Sequence, residues 1–418
     1  MSHFIVEGGH KLKGDIKVKG NKNAVLAQMA ACVLTEDECT LTNVPLISDV
    51  DAMARLLEDL GAIVKGVGTD TLKISCKNIK KHELDGELVS KLRASILFFG
   101  PLLARMGKAQ MRHPGGCIIG RRPIGVHFDA LYMLGAEVVT TKEDYVGKAS
   151  HLEGADIFLS EASVTATENT IMAAVLAEGE TIIRHAACEP HVADLCEFLV
   201  KMGAVIDGIG SNLLRITGVK KLSGAIHAVR VDHIEVGTFA IVTAVTGGEV
   251  RIKGVEIDDL GSILSVLDRF GVEYDLDDKD LKVLPSKLKS AGKVTTGIWP
   301  AFPTDLMSPL IVLATQSNGV TLLHDWMYES RMFFVDKLMS MGAAVTIADP
   351  HRVVVYGPEE LRAKKMDTPD LRAGMALLIA ALCATGESHI DQIEFIDRGY
   401  EQIDKRLASL GAKIKRVD

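Results

Sequence analysis

One short phrase, a large apolar residue followed by glycine and then alanine or valine, recurs six times along the chain. It occurs at Leu60–Ala62, Leu134–Ala136, Met202–Ala204, Phe270–Val272, Met341–Ala343 and Leu410–Ala412. Successive glycines of the phrase lie 74, 68, 68, 71 and 69 residues apart. Each phrase ends an amphipathic run and precedes a short β-type run. Glycine is the usual residue after a helix because it adopts the left-handed backbone at little cost. The phrase therefore predicts six helix ends in equivalent positions.

A second, more apolar run precedes each phrase, as in residues 170–186, 239–255 and 306–326. Each run reads as a helix, a turn and a β-branched strand. Because these helices are apolar nearly all round, we predict that they are buried. The repeating unit is then a buried helix, a strand, a loop, an amphipathic helix, a glycine cap and a strand. Units of about 70 residues exceed the 20–50 of solenoid repeats. They predict an α/β (α+β) fold of six pseudo-repeated subdomains.

Composition narrows the class of protein. The chain has 418 residues, of which 47% are hydrophobic and 24% charged, as in soluble globular proteins. A net charge of -8 argues against a nucleic-acid partner. The polar N-terminus does not resemble a signal peptide, and the longest apolar stretch, residues 375–384, is about half of the ~20 residues that span a bilayer. The seven cysteines form no C-x-x-C pair, which excludes a standard zinc module. We expect a cytoplasmic protein without a membrane partner.

Cations stand where six of the helices are predicted to begin. They are Lys22, Arg93, Arg122, Arg331, Arg372 and Arg398. The helix dipole disfavours positive charge at this end, whereas a helix N-terminus beside a cation binds anions well. We therefore predict a cleft for a ligand with several phosphate or carboxylate groups. Acidic residues stand at comparable positions: Asp49, Glu168, Glu235 and Asp259. Asp49, Glu235 and Asp259 are interpreted as ordinary helix starts.

The segment 113–123 contains Pro114 and three glycines and is predicted to be a pliable loop. It carries Cys117 five residues before Arg122. A thiol near guanidinium groups has a lowered pKa and becomes reactive, which predicts a chemical role for this cysteine. Three other cysteines, Cys32, Cys196 and Cys383, lie in apolar helical runs and are predicted to be small buried residues. No P-loop or Rossmann glycine motif occurs, so a bound nucleotide would be held in another way.

Seven segments carry a family resemblance. They are VKGNKNA (18–24), RASILFFGPLLARMG (93–107), HPGGCIIGRRP (113–123), PAFPTD (300–305), ESR (329–331), DLRAG (370–374) and IDRGYE (396–401). Together they resemble the UDP-N-acetylglucosamine enolpyruvyl transferases along the whole chain. The cysteine loop separates this family from the related shikimate-pathway transferases. The resemblance implies an inside-out α/β barrel of two three-repeat domains that close over a cleft. One domain would comprise residues 22–230, with the catalytic loop, and the other residues 1–21 and 231–418.

The implied activity is transfer of the enolpyruvyl group of phosphoenolpyruvate to the 3-hydroxyl of UDP-N-acetylglucosamine, with release of phosphate. This is the first committed step of peptidoglycan precursor synthesis. The resemblance implies no metal or organic cofactor and no partner beyond the two substrates. The expected assembly is a monomer or weak homo-oligomer.

The resemblance also implies roles for individual residues. Lys22, Arg122 and Arg398 would bind the phosphate and carboxylate of phosphoenolpyruvate. Cys117 would protonate its methylene carbon and be the residue that fosfomycin alkylates, and Asp305 would accept the proton of the sugar hydroxyl or orient that hydroxyl. Asn23 would contact the sugar. Arg93, Arg331 and Arg372 would complete the cationic cleft. The nucleotide would lie along two segments, one with Arg122, Pro123, Ile124 and Val126 and the other with Ser163, Val164 and Thr165 to Thr167.

The chain departs from the family pattern at four positions. Thr165 stands for a glycine beside the expected nucleotide, His233 and Cys188 each stand for an arginine, and His113 stands for an aliphatic residue. Glu189 is open to two interpretations, a substrate contact or a helix cap.

These departures leave alternatives for the acceptor and the activity. One alternative is an enolpyruvyl transferase for another uridine nucleotide. A second is a sugar-nucleotide-binding paralogue that has lost catalysis, which the retained Lys22, Cys117, Asp305 and Arg398 disfavour. The shikimate-pathway reaction is a third.

Overall fold

The computed structural model describes residues 2–115, 119–120 and 122–417. The predicted general acid Cys117 lies outside these residues. The described chain divides into two compact units. The central unit comprises residues 20–115 and 122–230, and the terminal unit comprises residues 2–19, 119–120 and 231–417.

The described residues form 23 strands in six sheets, three sheets in each unit. In chain order the strands are β1 (His3–Glu7), β2 (Lys13–Lys17), β3 (Cys39–Thr42), β4 (Ile63–Lys65), β5 (Thr71–Ser75), β6 (Lys108–Arg112), β7 (Glu137–Thr140), β8 (Asp144–Lys148), β9 (Asp156–Phe158), β10 (Glu180–Arg184), β11 (Val205–Asp207), β12 (Leu213–Thr217), β13 (Ile226–Ala228), β14 (Glu249–Lys253), β15 (Tyr274–Asp277), β16 (Asp280–Val283), β17 (Lys293–Thr295), β18 (Gly319–His324), β19 (Ala344–Asp349), β20 (Arg352–Gly357), β21 (Lys365–Asp367), β22 (Glu387–Asp391) and β23 (Lys413–Val417).

Fourteen α-helices accompany the strands in the described part of the chain. They are α1 (Lys22–Ala31), α2 (Ser48–Leu60), α3 (Gly86–Lys91), α4 (Phe99–Met106), α5 (Gly125–Met133), α6 (Val164–Ala174), α7 (Pro190–Lys201), α8 (His233–Val245), α9 (Gly261–Arg269), α10 (Met307–Thr315), α11 (Val335–Ser340), α12 (Leu371–Cys383), α13 (Glu394–Asp397) and α14 (Ile403–Ser409). Four short 3₁₀ helices lie at Cys32–Leu34, Arg93–Phe98, Ile257–Asp259 and Thr304–Leu306.

Every four-stranded sheet has the same plan. Three strands pair antiparallel, and a fourth, outer strand pairs parallel with the strand that follows the buried helix. The orders in the central unit are β13-β3-β5-β4, β6-β8-β7 and β11-β12-β10-β9. In the terminal unit they are β15-β16-β14-β2, β17-β18-β20-β19 and β21-β22-β1-β23. The strand after each glycine phrase is always an edge strand.

Strands from distant parts of the chain complete three of these sheets. The N-terminal β1 lies between β22 and β23, with Phe4 opposite Ile390 and Arg416. The next strand, β2, pairs parallel with β14, and Ile16 lies opposite Ile252. In the central unit β13 pairs parallel with β3. The first 19 residues therefore belong with the C-terminal half of the chain.

All six phrase glycines have a positive φ, which confirms the predicted helix ends. The values are 104° for Gly61, 91° for Gly135, 105° for Gly203, 73° for Gly271, 107° for Gly342 and 97° for Gly411. A residue with a Cβ would be strained in this region.

The apolar helices form the cores of the two units, as predicted. In the central unit α4 packs against α6, and α6 packs against α5. In the terminal unit α10 packs between α8 and α12, and side chains such as Phe239, Leu310 and Leu377 are fully buried. Burying one such side chain contributes about 1.5–3 kcal/mol. Residues just before these helices are thereby held at fixed positions.

Candidate functional site

Three of the predicted helix-start cations lie where the sequence placed them. Lys22 is the first residue of α1, Arg93 is the first residue of the 3₁₀ helix Arg93–Phe98, and Arg372 is the second residue of α12. Asn21 and Asp370 cap α1 and α12 with their side chains, which satisfies the first backbone N–H groups. The cations are therefore not needed as caps.

The other three cations differ in their relation to a helix. Arg122 lies three residues before α5, and Arg331 lies four residues before α11. Arg398 lies five residues before α14 and directly follows the four-residue helix α13, which the sequence did not predict. A helix dipole favours a cation at this end. Glu168 was misplaced, because α6 begins at Val164 and this carboxyl lies in its second turn.

Lys22 forms an ion pair with Asp49 in the central unit. Its Nζ lies 2.8 Å from Asp49 Oδ2, and the side chains are 15% and 5% exposed. Asp49 lies in the first turn of α2, as predicted, but its side chain also holds the Lys22 ammonium group. The sequence interpretation missed this second role. Asn23, the predicted sugar contact, is the second residue of α1, and its backbone N–H donates to Asn21 Oδ1 over 2.8 Å.

Asp305, Arg331 and Arg372 come together in the terminal unit. Arg331 donates from Nη2 to Asp305 Oδ1 over 3.1 Å, and Arg372 donates from Nη2 to Asp305 Oδ2 over 2.8 Å. The two arginine side chains are 2% and 5% exposed, whereas that of Asp305 is 28% exposed. A buried guanidinium requires a counter-charge. Asp305 provides it while keeping part of its carboxylate accessible.

Two residues that the sequence did not single out orient Arg372. Its Nη1 donates to the hydroxyl of Tyr400 over 3.0 Å. The Thr238 hydroxyl donates to the carbonyl of Ile234 over 2.7 Å, so it accepts the Tyr400 O–H over 3.0 Å. Burial raises the pKa of Tyr400, which keeps this phenol protonated and able to donate. Tyr400 lies in the family segment 396–401, so that motif could have identified it as a site residue.

The residue next to Asp305 is also fixed by a buried carboxylate. The Thr304 hydroxyl donates to Asp325 Oδ2, and Asp325 Oδ1 accepts the N–H of Met327 over 3.0 Å. Asp325 has no exposed surface. The 3₁₀ turn that carries Asp305 is therefore tied to the strand end after β18. Nothing in the sequence pattern indicated this contact.

The residues expected along a nucleotide lie around α5 and α6. Arg93 donates a hydrogen bond to the carbonyl of Arg122. Of the others, Pro123 and Ile124 precede α5, Val126 is its second residue, Ser163 is the residue before α6, and Val164 and Thr165 begin α6. Helices α5 and α6 pack together. The two predicted segments therefore lie side by side within the central unit.

Glu189 occupies the position before α7, but its side chain makes no capping hydrogen bond. The helix-cap interpretation therefore does not account for its carboxylate. Burial and the charge of Glu189 raise the pKa of Cys188. The same two causes hold the pKa of Glu168 well above its usual range.

His233, another departure from the family pattern, begins α8 and packs edge-on to Trp299 at 5.5 Å between ring centres.

Of the three cysteines predicted to be buried, Cys32 and Cys196 are buried. The prediction is wrong for Cys383, which is half-buried because it is the last residue of α12.

Within the described ranges, no group of three or more His, Cys, Asp or Glu side chains is arranged to hold a metal ion. None of the helices described here has the length and apolarity to span a bilayer.

Comparison with known proteins decides the family. The family model of EPSP synthase (3-phosphoshikimate 1-carboxyvinyltransferase) matches residues 6–407. The UDP-N-acetylglucosamine 1-carboxyvinyltransferase of Borreliella burgdorferi is 49% identical and aligns over 100% of this chain and 99% of its own. The protein of the same name from Bradyrhizobium diazoefficiens is 48% identical over 99% of this chain and 98% of its own. The chain belongs to the UDP-N-acetylglucosamine 1-carboxyvinyltransferase family. The family predicted from the sequence is confirmed, and with it an enolpyruvyl transferase enzyme.

Solved structures show the same fold for this member of the UDP-N-acetylglucosamine 1-carboxyvinyltransferase family. The enolpyruvyl transferase NikO from Streptomyces tendae superimposes with a TM-score of 0.90 at 22% identity, over 100% of this chain and 99% of its own. EPSP synthase from Acinetobacter baumannii gives a TM-score of 0.78 at 19% identity, with 100% of both chains covered. The predicted mixed α/β fold class is therefore confirmed.

Proposed function

We propose that this protein transfers the enolpyruvyl group of phosphoenolpyruvate to the 3-hydroxyl of UDP-N-acetylglucosamine and releases phosphate. The observation that carries the proposal is the 49% identity, along the full chain, to an enzyme named for this transfer. The paired charges around Asp305 and Lys22 support it, because the reaction needs fixed groups for an anionic donor and for a hydroxyl.

The proposed reaction has two steps. Cys117, which lies outside the described residues, protonates the methylene carbon of phosphoenolpyruvate. The sugar hydroxyl adds to the resulting oxocarbenium-like carbon and loses its proton, which gives a tetrahedral phospholactoyl adduct. The adduct then loses a proton from the new methyl group and expels phosphate, which forms the enolpyruvyl ether. Each positioned acid or base contributes typically ~10²–10⁴-fold to the rate.

We assign Asp305 to the sugar hydroxyl. Its two oxygens accept one hydrogen bond each from Arg331 and Arg372, and the side chain is 28% exposed, so a hydroxyl can reach the carboxylate. Two guanidinium groups stabilise the carboxylate form and so weaken it as a base. The contacts therefore favour orientation of the hydroxyl over full proton acceptance. Arg331 and Arg372 are assigned to this role of holding Asp305.

We assign Lys22, Arg122 and Arg398 to the phosphate and carboxylate of phosphoenolpyruvate. The ion pair with Asp49 supports the assignment of Lys22, because it holds a long flexible side chain in one place. Asn23 is assigned to the sugar. The nucleotide is assigned to Arg93, Pro123, Ile124, Val126, Ser163, Val164 and Thr165.

We further propose that the central and terminal units are the two catalytic domains, and that the central unit carries the cysteine loop. The proposed setting is the cytoplasm, where the reaction would open peptidoglycan precursor synthesis. The only proposed partners are the two substrates, without nucleic acid, and the proposed assembly is a monomer or weak homo-oligomer. Alkylation of Cys117 by fosfomycin is part of the same proposal.

The test is phosphate release from phosphoenolpyruvate, with and without UDP-N-acetylglucosamine, for wild type and Cys117→Ala in parallel. We expect release that depends on the acceptor and collapses in the variant. Cys196→Ala is the matched control, because this thiol is on the buried face of α7. Folded wild-type protein that releases no phosphate with this acceptor would contradict the proposal.

The identity of the acceptor is tested separately, because Thr165 stands where the family has glycine. The same assay with other uridine-nucleotide sugars and with shikimate 3-phosphate compares the candidates. We expect the highest kcat/KM with UDP-N-acetylglucosamine. A higher value for another uridine nucleotide would replace the acceptor and leave enolpyruvyl transfer in place.

A further inference from the structure

The hydroxyl of Thr165 lies at the end of a chain of hydrogen bonds whose direction can be worked out. Thr165 is the second residue of α6, and its Oγ1 lies 3.1 Å from Nε2 of His127 on α5. The other ring nitrogen, Nδ1, lies 2.9 Å from Nδ2 of Asn169. His127 is 2% exposed, so its ring is fixed between these two partners.

Asn169 sets the direction of the chain, because two backbone groups determine which way its amide points. The N–H of Gly100 donates to Asn169 Oδ1 over 2.8 Å. Asn169 Nδ2 donates to the carbonyl of Ile96 over 2.8 Å. The second hydrogen on Nδ2 therefore points to His127 Nδ1, and this nitrogen must accept.

His127 is consequently neutral, with its only proton on Nε2. Burial lowers its pKa to about 3, and the charge of Arg93 acts in the same direction. With Nδ1 accepting, Nε2–H donates to Thr165 Oγ1. The hydroxyl of Thr165 is then an acceptor toward His127, and its own hydrogen points elsewhere. The part of the chain that the structure describes gives this hydrogen no acceptor.

We propose that Thr165 is a nucleotide-binding residue that donates its hydroxyl hydrogen to a diphosphate oxygen of the acceptor nucleotide, and that His127 is the positioning residue that turns the hydroxyl toward it. The proposal rests on the proposed function, which places the nucleotide beside this segment. It adds a side-chain contact at a position where the family pattern has only backbone.

The surroundings favour an anionic oxygen as the partner. Thr165 lies in the first turn of an 11-residue helix, where the dipole attracts negative charge. The guanidinium of Arg93 is close enough to depress the pKa of His127. Thr165 is half-buried, so a ligand can reach its hydroxyl. A hydrogen bond to a charged oxygen contributes more than one to a neutral oxygen.

The experiment measures the Kd of UDP and of UDP-N-acetylglucosamine by calorimetry, with steady-state kinetics beside it. Thr165→Val keeps the side-chain shape and removes the hydroxyl, and Thr165→Ser is the control that keeps it. We expect Thr165→Val to weaken both nucleotides by the same factor, about tenfold or more. Thr165→Ser should stay within about threefold of wild type. The KM for the nucleotide should rise by a much larger factor than kcat falls. The KM for phosphoenolpyruvate should stay unchanged.

Two variants of His127 test its positioning role. His127→Phe removes the N–H donor, and His127→Gln retains one at a similar distance from the backbone. We expect the phenylalanine variant to weaken UDP binding and the glutamine variant to restore most of it. In the Thr165→Val background, the His127→Phe change should add little, because the group that it positions is already absent. Thermal melts check that each variant is folded.

Several outcomes would overturn the inference. Equal UDP affinity in wild type and Thr165→Val would remove the proposed contact. Weakening of UDP-N-acetylglucosamine alone would place the contact on the sugar instead of the diphosphate. Because UDP binding needs no turnover, these results are separate from failure of the proposed function, which would appear as absent phosphate release in the wild type.

Discussion

Arg372, almost wholly buried, donates to Asp305 from Nη2 over 2.8 Å, while its other terminal nitrogen donates to Tyr400. The carboxylate proposed to meet the sugar hydroxyl is thus fixed through a guanidinium that is itself fixed by a phenol. Arg331 completes the arrangement from the other side of Asp305. Asp305 is therefore held by two guanidinium groups that are almost wholly buried.

Tyr400→Phe should show how far this support matters. The variant leaves a buried guanidinium N–H without its acceptor, which costs about 1–3 kcal/mol. We expect a loss of this size in the free energy of unfolding, measured with urea, and a lower kcat in the phosphate assay. Tyr356→Phe, at a tyrosine that is 43% exposed, is the control and should change neither quantity. Wild-type kcat in Tyr400→Phe would show that Arg372 keeps its position without the phenol.

Asp305→Asn should reduce both activity and stability. It removes the counter-charge of two buried arginines, and breaking such a pair costs about 3–5 kcal/mol. We expect a fall in kcat/KM of about 10²-fold or more. The measurements are phosphate release and urea unfolding. Asp349→Asn breaks an ion pair with the half-exposed Arg352 and should leave activity intact. An Asp305→Asn enzyme with normal turnover would refute the assignment of Asp305.

Asp49→Asn tests the ion pair with Lys22. Asp49 and Asp51 both lie in the first turn of α2, so replacing either one removes the same favourable charge from the helix start. Asp49 forms the ion pair with Lys22, whereas Asp51 is exposed. We expect Asp49→Asn to raise the KM for phosphoenolpyruvate about tenfold, which corresponds to about 1.4 kcal/mol. Asp51→Asn should leave it unchanged. Equal effects of the two substitutions would mean that the helix dipole, and not the ion pair, is responsible.

Glu168→Gln should change how stability depends on pH. Burial and the charge of Glu189 raise the pKa of Glu168 above 4.5, so the folded protein keeps this carboxyl protonated where the unfolded chain releases the proton. The unfolded state then binds fewer protons, and stability falls as pH rises from about 4.5 toward the raised pKa. Urea unfolding between pH 4 and pH 9 should show a smaller fall in the variant. Glu161→Gln, at an exposed carboxyl, should follow wild type. Parallel curves for wild type and Glu168→Gln would contradict the shift.

The repeat architecture could be predicted from the sequence because it rests on local physics. A glycine after an amphipathic run ends a helix whatever the rest of the chain does, and all six such glycines have a positive φ. The burial of the apolar helices could be predicted in the same way, because a helix that is apolar nearly all round is stable only when it is buried. The motifs around Lys22, Asp305 and Arg372 identified the family, since each is a short run of adjacent residues. The helix α13 before Arg398 was not predicted, because four residues are too few to show a periodicity.

The partners of these residues were decided only by the tertiary structure. Strand β1 pairs with β22 and β23 across almost the whole chain, and a β-type run does not say which strand it joins. Asp49 meets Lys22, Tyr400 meets Arg372, and His127 meets Thr165, through side chains that lie 27, 28 and 38 residues apart. Local propensity describes each residue in its own helix. Which hydrogen bond a buried polar group makes depends on the helices that pack against it, and that packing is a property of the folded chain as a whole.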